Sequence, residues 1–187
     1  IYENFVDRMR KVMKELRVGD ARSPDTQIGP VASETQLEIN KSYISQAEVD
    51  GATLASSSMQ IEAKSPGYYF APTLFTEVST QSAIARDEIF GPIAAVFRVP
   101  DFDAALEAAN DADFGLSSGI VTQDAVKIDY FTRNAEAGMV QVNLPTAGMD
   151  FHAPFTGRKG SSYGAPEKVS LCREFFTAAK VVHKGRG

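Results

Sequence analysis

Apolar side chains along this 187-residue chain recur first at helical and then at alternating spacing, and each change of period marks an element. Phe5, Met9, Val12, Met13 and Leu16 share one helical face, which predicts a helix from the first residues, with Gly19 as a left-handed stop. Ser33 with Gln36 three positions on is a capping-box pattern, so a second helix should run to about residue 47 with Leu37, Tyr43, Ile44 and Ala47 inward. After Gly51 the period shortens. Residues 52–55 read as a strand, and 68–78 as an extended stretch that Pro72 confines to an edge or a bend. Ile93, Ala95, Phe97 and Val99 alternate with Ala94, Val96 and Arg98 in a buried strand. Asp101 caps a helix over 102–110 with Ala105, Leu106 and Ala109 inward, and Asp124 caps another through 133. Strands are predicted over 116–122 and 139–143, then a Gly- and Pro-rich loop over 144–166, a helix over 167–176 and an extended tail over 178–183.

Strands alternating with helices predict an α/β fold, a largely parallel sheet with helices on both faces. Ligands of such sheets sit beyond the carboxyl ends of the strands. That nominates the loop after Asn143 and the turn in Asp87-Glu88-Ile89-Phe90-Gly91-Pro92. In the turn, Gly91 permits backbone angles closed to other residues and Pro92 fixes its own φ and removes a donor. A carboxylate and a phenyl ring are thereby held at the mouth of a strand, a pairing suited to ribose hydroxyls beside a flat ring.

Composition narrows the classes. A net charge of −5 argues against a nucleic-acid surface, and the 43% apolar and 23% charged fractions are those of an ordinary globular chain. No apolar run approaches a membrane span, so no membrane partner is expected. The single Cys172 cannot close an internal disulfide, and a reducing cytoplasm is the expected compartment. Ile1 opens directly into a helical pattern, so the chain is expected to be cut from something longer.

Several tempting motifs fail. Gly157-Arg158-Lys159-Gly160-Ser161-Ser162 lacks phosphate-loop spacing and reads as a surface loop with two solvated cations; no Gly-x-Gly-x-x-Gly run occurs. Asn40-Lys41-Ser42 fits a glycosylation acceptor only by its three letters. Cys172 lies in an apolar stretch where free cysteine acts as a small hydrophobe. His152, His183 and the scattered acids give no metal-ligand spacing, so no metal is expected. Phe151, Phe155 and Tyr163 cluster in the Gly/Pro-rich loop, with core cover the favoured reading and pocket lining the other.

The order of short motifs carries more than any one of them. Ile1-Tyr2-x-x-Phe5, Gly29-Pro30, Pro72-Thr73-Leu74, Glu88-Ile89-Phe90-Gly91-Pro92, Asp113-Phe114-Gly115-Leu116, Gly138-x-Val140-x-Val142-Asn143 and Pro154-Phe155-x-Gly157-x-Lys159 follow in series. In that order they resemble the C-terminal part of the aldehyde dehydrogenase superfamily over essentially the whole chain. Residues 142–148 and 158–164 look most like its α-ketoglutaric semialdehyde dehydrogenase branch.

The resemblance implies an NAD- or NADP-dependent oxidation of an aldehyde to a carboxylate. In that family a cysteine thiolate attacks the aldehyde, hydride leaves to the cofactor, and glutamate-activated water hydrolyses the thioester. It implies that Glu88 binds the nicotinamide ribose hydroxyls, Phe90 contacts the ring side, and Gln36 approaches the cofactor ribose. Phe155, with Phe151 and Met149, would line the aldehyde tunnel. Apart from the resemblance, Arg158 near the aromatic loop could favour an acidic aldehyde, with a solvated loop cation the favoured reading. The family's nucleophile and general base lie upstream of Ile1, so no catalytic residue is expected on this chain and the chain alone should be inactive. Residues 1–176 would be a partial catalytic domain and 177–187 a tail able to pair in a homo-dimer or homo-tetramer. Thr156 replaces a glycine of the family's turn, and Ile39 stands where a cofactor-contacting lysine is often found. A non-catalytic α/β interaction module that keeps the fold is the alternative.

Overall fold

In the computed structural model, described for residues 1–57, 61–62, 65–148, 150–166 and 168–187, the chain divides into two compact units, 1–99 and 100–187. The first unit opens with α1 (Tyr2–Glu15). Its buried side chains are Val6 and Met13, while Phe5 and Val12 are exposed, so the packed face is rotated from the one the apolar spacing suggests. Gly19 does not stop this helix, because the chain turns extended at Leu16 and Gly19 belongs to β1 (Val18–Gly19).

Ser33 caps α2 (Glu34–Val49), its hydroxyl accepting from the Gln36 backbone N–H at 3.1 Å. Three strands follow in one sheet of order β2-β4-β5, with β2 (Thr53–Ser57) antiparallel and β5 (Ile93–Ala95) parallel to β4 (Thr73–Thr76). Pro72 therefore does not mark an edge. It lies one residue before the central strand, where its missing donor leaves no gap in the ladder. A short β3 (Ile61–Glu62) runs parallel to β1. The core of this unit is Ala47, Phe75, Val78 and Ile84, with Ile89, Ile93 and Phe97 packed against it. Burying a ring such as Phe75 contributes about 1.5–3 kcal/mol. The unpredicted α3 (Ala83–Arg86) ends at Asp87, directly before the turn.

In the second unit Asp101 caps α4 (Phe102–Asn110) and Asp124 caps α5 (Ala125–Asn134), each carboxylate accepting from backbone N–H groups of the first turn. β7 (Ser117–Ile120) and β8 (Met139–Val142) pair in parallel, and Leu106, Phe131 and Ala135 form the core. The loop expected over 144–166 contains β9 (Arg158–Lys159), antiparallel to β6 (Phe114–Gly115). The expected last helix is a 3₁₀ turn, Val169–Leu171, that runs into α6 (Cys172–Phe176); Val169, the first residue of the turn, holds φ 62°. Residues 177–187 have no regular secondary structure. The class is α/β, with three of the five ladders among the described residues parallel.

Candidate functional site

The turn of residues 87–92 is built from both ends. Asp87 accepts a hydrogen bond from the Tyr43 hydroxyl at 3.0 Å, which fastens the turn to α2. Burial, and then this bond to Asp87, push the Tyr43 phenol above its ordinary pKa. At the far end Thr73 N–H donates to the Pro92 carbonyl and Ile93 N–H reaches back to Gly91 at 2.8 Å, a three-residue turn centred on Pro92.

Between these anchors Phe90 holds φ 58°, and its side chain stands 80% exposed. A non-glycine, aromatic residue in the left-handed region is uncommon and costs free energy that the surroundings must offset. Sequence reasoning assigned the special angle to Gly91; the structure gives it to Phe90, and Gly91 serves close approach instead. A Cβ on Gly91 would stand 2.4 Å from the Asn40 Oδ1. Asn40 is fully buried on α2, which also removes it as a glycosylation acceptor, and its Oδ1 accepts from Gln36 Nε2 at 2.8 Å. The same Gln36 nitrogen donates to the Ile89 carbonyl at 2.8 Å. Gln36 therefore does not close the capping box with its side chain; it bridges α2 to the turn. Asn40 was missed, since nothing local distinguishes a helical asparagine under a turn about fifty residues away.

The result is a crevice of about 580 Å³ lined by Pro30, Val31, Ala32, Gln36, Phe90, Gly91 and Pro92. Two of the three sequence-predicted cofactor residues, Gln36 and Phe90, meet in its wall. The third, Glu88, is exposed two residues away, and among the described residues its carboxylate has no hydrogen-bond or ion-pair partner. An exposed ring and an uncommitted carboxylate thus stand near an apolar-walled crevice, groups of the kind that could hold a flat ring and a pair of hydroxyls. The Gln36 side-chain nitrogen is committed to the turn, which leaves its carbonyl oxygen as the group able to meet a ribose hydroxyl.

The second unit carries the residues predicted for the aldehyde side. Phe151 and Phe155 are exposed, as is Tyr163, so the aromatic cluster is not core cover. These rings leave the core to Leu106, Phe131 and Ala135 and stand on a loop held by polar contacts. Phe151 stacks on His152 with ring centroids 3.8 Å apart, and His152 Nδ1 lies 3.1 Å from Asp150. Lys168 Nζ lies 5.3 Å from the centre of the Phe155 ring. Met149 lies outside the described residues. The loop is not simply solvated. Lys159 pairs with Glu136 at 2.7 Å and donates to the carbonyls of Asn110 and Ala112, and Arg158 reaches the Ala135 carbonyl at 3.5 Å. Gly157 N–H donates to Ser162 Oγ and Gly115 N–H to Ser161 Oγ. The Thr156 backbone carbonyl lies 2.2 Å from where a Cβ on Gly138 would be, so this close approach of the loop needs glycine at 138. Cys172 is half-buried in α6. Among the described residues no group of His, Cys, Asp and Glu could hold a metal ion, and no helix is long and apolar enough to cross a membrane.

The first unit carries a strained aromatic turn over a crevice, and the second presents aromatics on a pinned glycine loop. Residues 1–182 match the family described as "Aldehyde dehydrogenase family", and the chain belongs to it. It is 37% identical over 184 residues to alpha-ketoglutaric semialdehyde dehydrogenase of Bacillus subtilis, covering 97% of this chain and 38% of that protein. It is 37% identical over 188 residues to the succinate-semialdehyde dehydrogenase [NADP(+)] of Mycobacterium avium, covering 99% of this chain and 38% of that one. Among solved structures, betaine aldehyde dehydrogenase from Staphylococcus aureus in complex with NAD+ superposes with a TM-score of 0.87 at 27% identity, covering 96% of this chain and 36% of that one. The chain thus spans about two fifths of the length of the relatives it matches.

Proposed function

We propose that this chain is the C-terminal catalytic portion of an NAD- or NADP-dependent aldehyde dehydrogenase that oxidises a semialdehyde to a carboxylate through a cysteine thioester. The observation that carries the reading is Phe90, held at φ 58° with its ring exposed beside Glu88. A backbone strained to present an aromatic outward is difficult to explain as packing, and such strain collects at functional sites.

Glu88 accepts hydrogen bonds from the two ribose hydroxyls, and charge assistance strengthens them. Phe90 covers one side of the flat ring and keeps water from it. The Gln36 oxygen meets a further hydroxyl. A bound nicotinamide supplies the hydride acceptor. On the aldehyde side Phe155, with Phe151, forms an apolar wall, and Met149 is assigned to the same side by the family resemblance alone. The nucleophile and general base lie outside residues 1–187, so the chain alone does not turn over. Residues 1–176 act as the catalytic portion, and 177–187, with Val181 and Val182 exposed, pair with a partner subunit in a homo-dimer or homo-tetramer of a cytoplasmic parent. The semialdehyde assignment is supported by what the Bacillus and Mycobacterium relatives are named for.

The test is nicotinamide reduction by the full-length enzyme, followed by absorbance with succinic semialdehyde as substrate. Glu88→Gln should raise the cofactor KM about tenfold, the cost of one charge-assisted bond. A folded full-length protein that reduces neither cofactor with any aldehyde would sink the reading.

A further inference from the structure

We propose that Lys168 is a specificity-determining residue of the aldehyde site, a cation that reads a carboxylate at the far end of an ω-oxo acid substrate. This rests on the reading above that Phe155 faces the aldehyde. Arg158, the less favoured candidate for such a role from the sequence, has its guanidinium turned toward the Ala135 carbonyl. The other lysine between residues 150 and 168 is also engaged: Lys159 by Glu136 at 2.7 Å and by two carbonyls. Lys168 differs. Among the described residues it has no acidic partner, and its ammonium lies 5.3 Å from the centre of the exposed Phe155 ring.

That placement has chemical consequences. The negative face of the ring attracts the ammonium and removes part of its hydration, while its three N–H donors are not consumed. Ring and cation together present an apolar face and a positive charge side by side. A short methylene chain ending in a carboxylate matches both, the methylenes against Phe155 and the anion against Lys168. An uncharged aldehyde of equal length matches only the ring.

The experiment compares succinic semialdehyde with butanal, four carbons each, in the full-length enzyme and its Lys168→Gln and Lys168→Arg variants. Lys168→Gln should raise the KM for succinic semialdehyde about tenfold, leave its kcat within about twofold, and leave both constants for butanal unchanged. Lys168→Arg should restore most of the difference, and added salt should erode it. Equal effects on the two aldehydes, or none on either, overturn the proposal while the dehydrogenase reading stands. A wild-type enzyme that oxidises neither aldehyde overturns that reading first, and the assignment with it. Independently of any variant, succinate should inhibit butanal oxidation competitively and butyramide should not; equal inhibition by the two also overturns it.

Discussion

At the scale of single residues, the turn shows two ways in which a fold uses an unusual backbone position. Phe90 bears the left-handed angle, and Gly91 is small because Asn40 Oδ1 lies where its Cβ would be. Gly91→Ala should therefore destabilise the chain by about 1–3 kcal/mol, as overpacking against a fully buried group does. Urea unfolding measures it. In an Asn40→Ala background the penalty should shrink, because the clashing amide is gone; additive penalties would show that Asn40 is not the obstacle. Val169 is the opposite case. Among the described residues nothing evident offsets its φ of 62°, so Val169→Gly should stabilise by about 0.5–1 kcal/mol, the left-handed penalty less the entropy of glycine. The motif 87–92 was legible as a rigid turn with an acid and a ring. Which residue took the strain was not, because that is decided by Asn40 and Gln36, which are distant in sequence.

At the scale of elements, what could be read was what is local. The caps at Ser33, Asp101 and Asp124 were visible because a side-chain oxygen and the N–H groups it satisfies lie within three residues. The β6–β9 ladder was not, since two-residue strands carry no periodicity and their pairing spans more than forty residues. The contact between α2 and the turn is of the second kind and can be probed by pH. Tyr43 has its pKa raised in the fold, by burial first and the Asp87 bond second. A group whose folded pKa exceeds its unfolded value of about 10 contributes fully below that value and loses the contribution as pH rises through the folded one. The stability of wild type relative to Tyr43→Phe should accordingly be constant through neutral pH and fall only in the alkaline range. A difference that instead grows with pH would mean that Tyr43 is not hydrogen-bonded as a neutral phenol. Thermal melts of the two proteins across pH measure this.

At the scale of the whole molecule, the α/β class and the family were legible because the motifs recur in order along the full chain. The aromatic loop was misjudged because exposure of Phe151 and Phe155 depends on which rings the second unit's core already holds. The chain matches only 38% of the Bacillus relative, and of the proposed cofactor residues Gln36 and Phe90 line one crevice with Glu88 nearby. That sets the size of a binding effect. A complete site with a dissociation constant near 10 μM would, at about 1 mM NAD+, stabilise the fold by about 2.7 kcal/mol. In a protein of this size that raises Tm by roughly 5–10 °C. Those residues alone, with a dissociation constant of about 1 mM or weaker, contribute about 0.4 kcal/mol or less and a shift of roughly 1–2 °C. The expected outcome for residues 1–187 in a thermal melt with about 1 mM NAD+ or NADP+ is the smaller figure, and Glu88→Gln should not alter it measurably. A shift of about 5 °C or more, abolished by Glu88→Gln, would mean that Glu88, Phe90 and Gln36 suffice for the cofactor without residues beyond this chain.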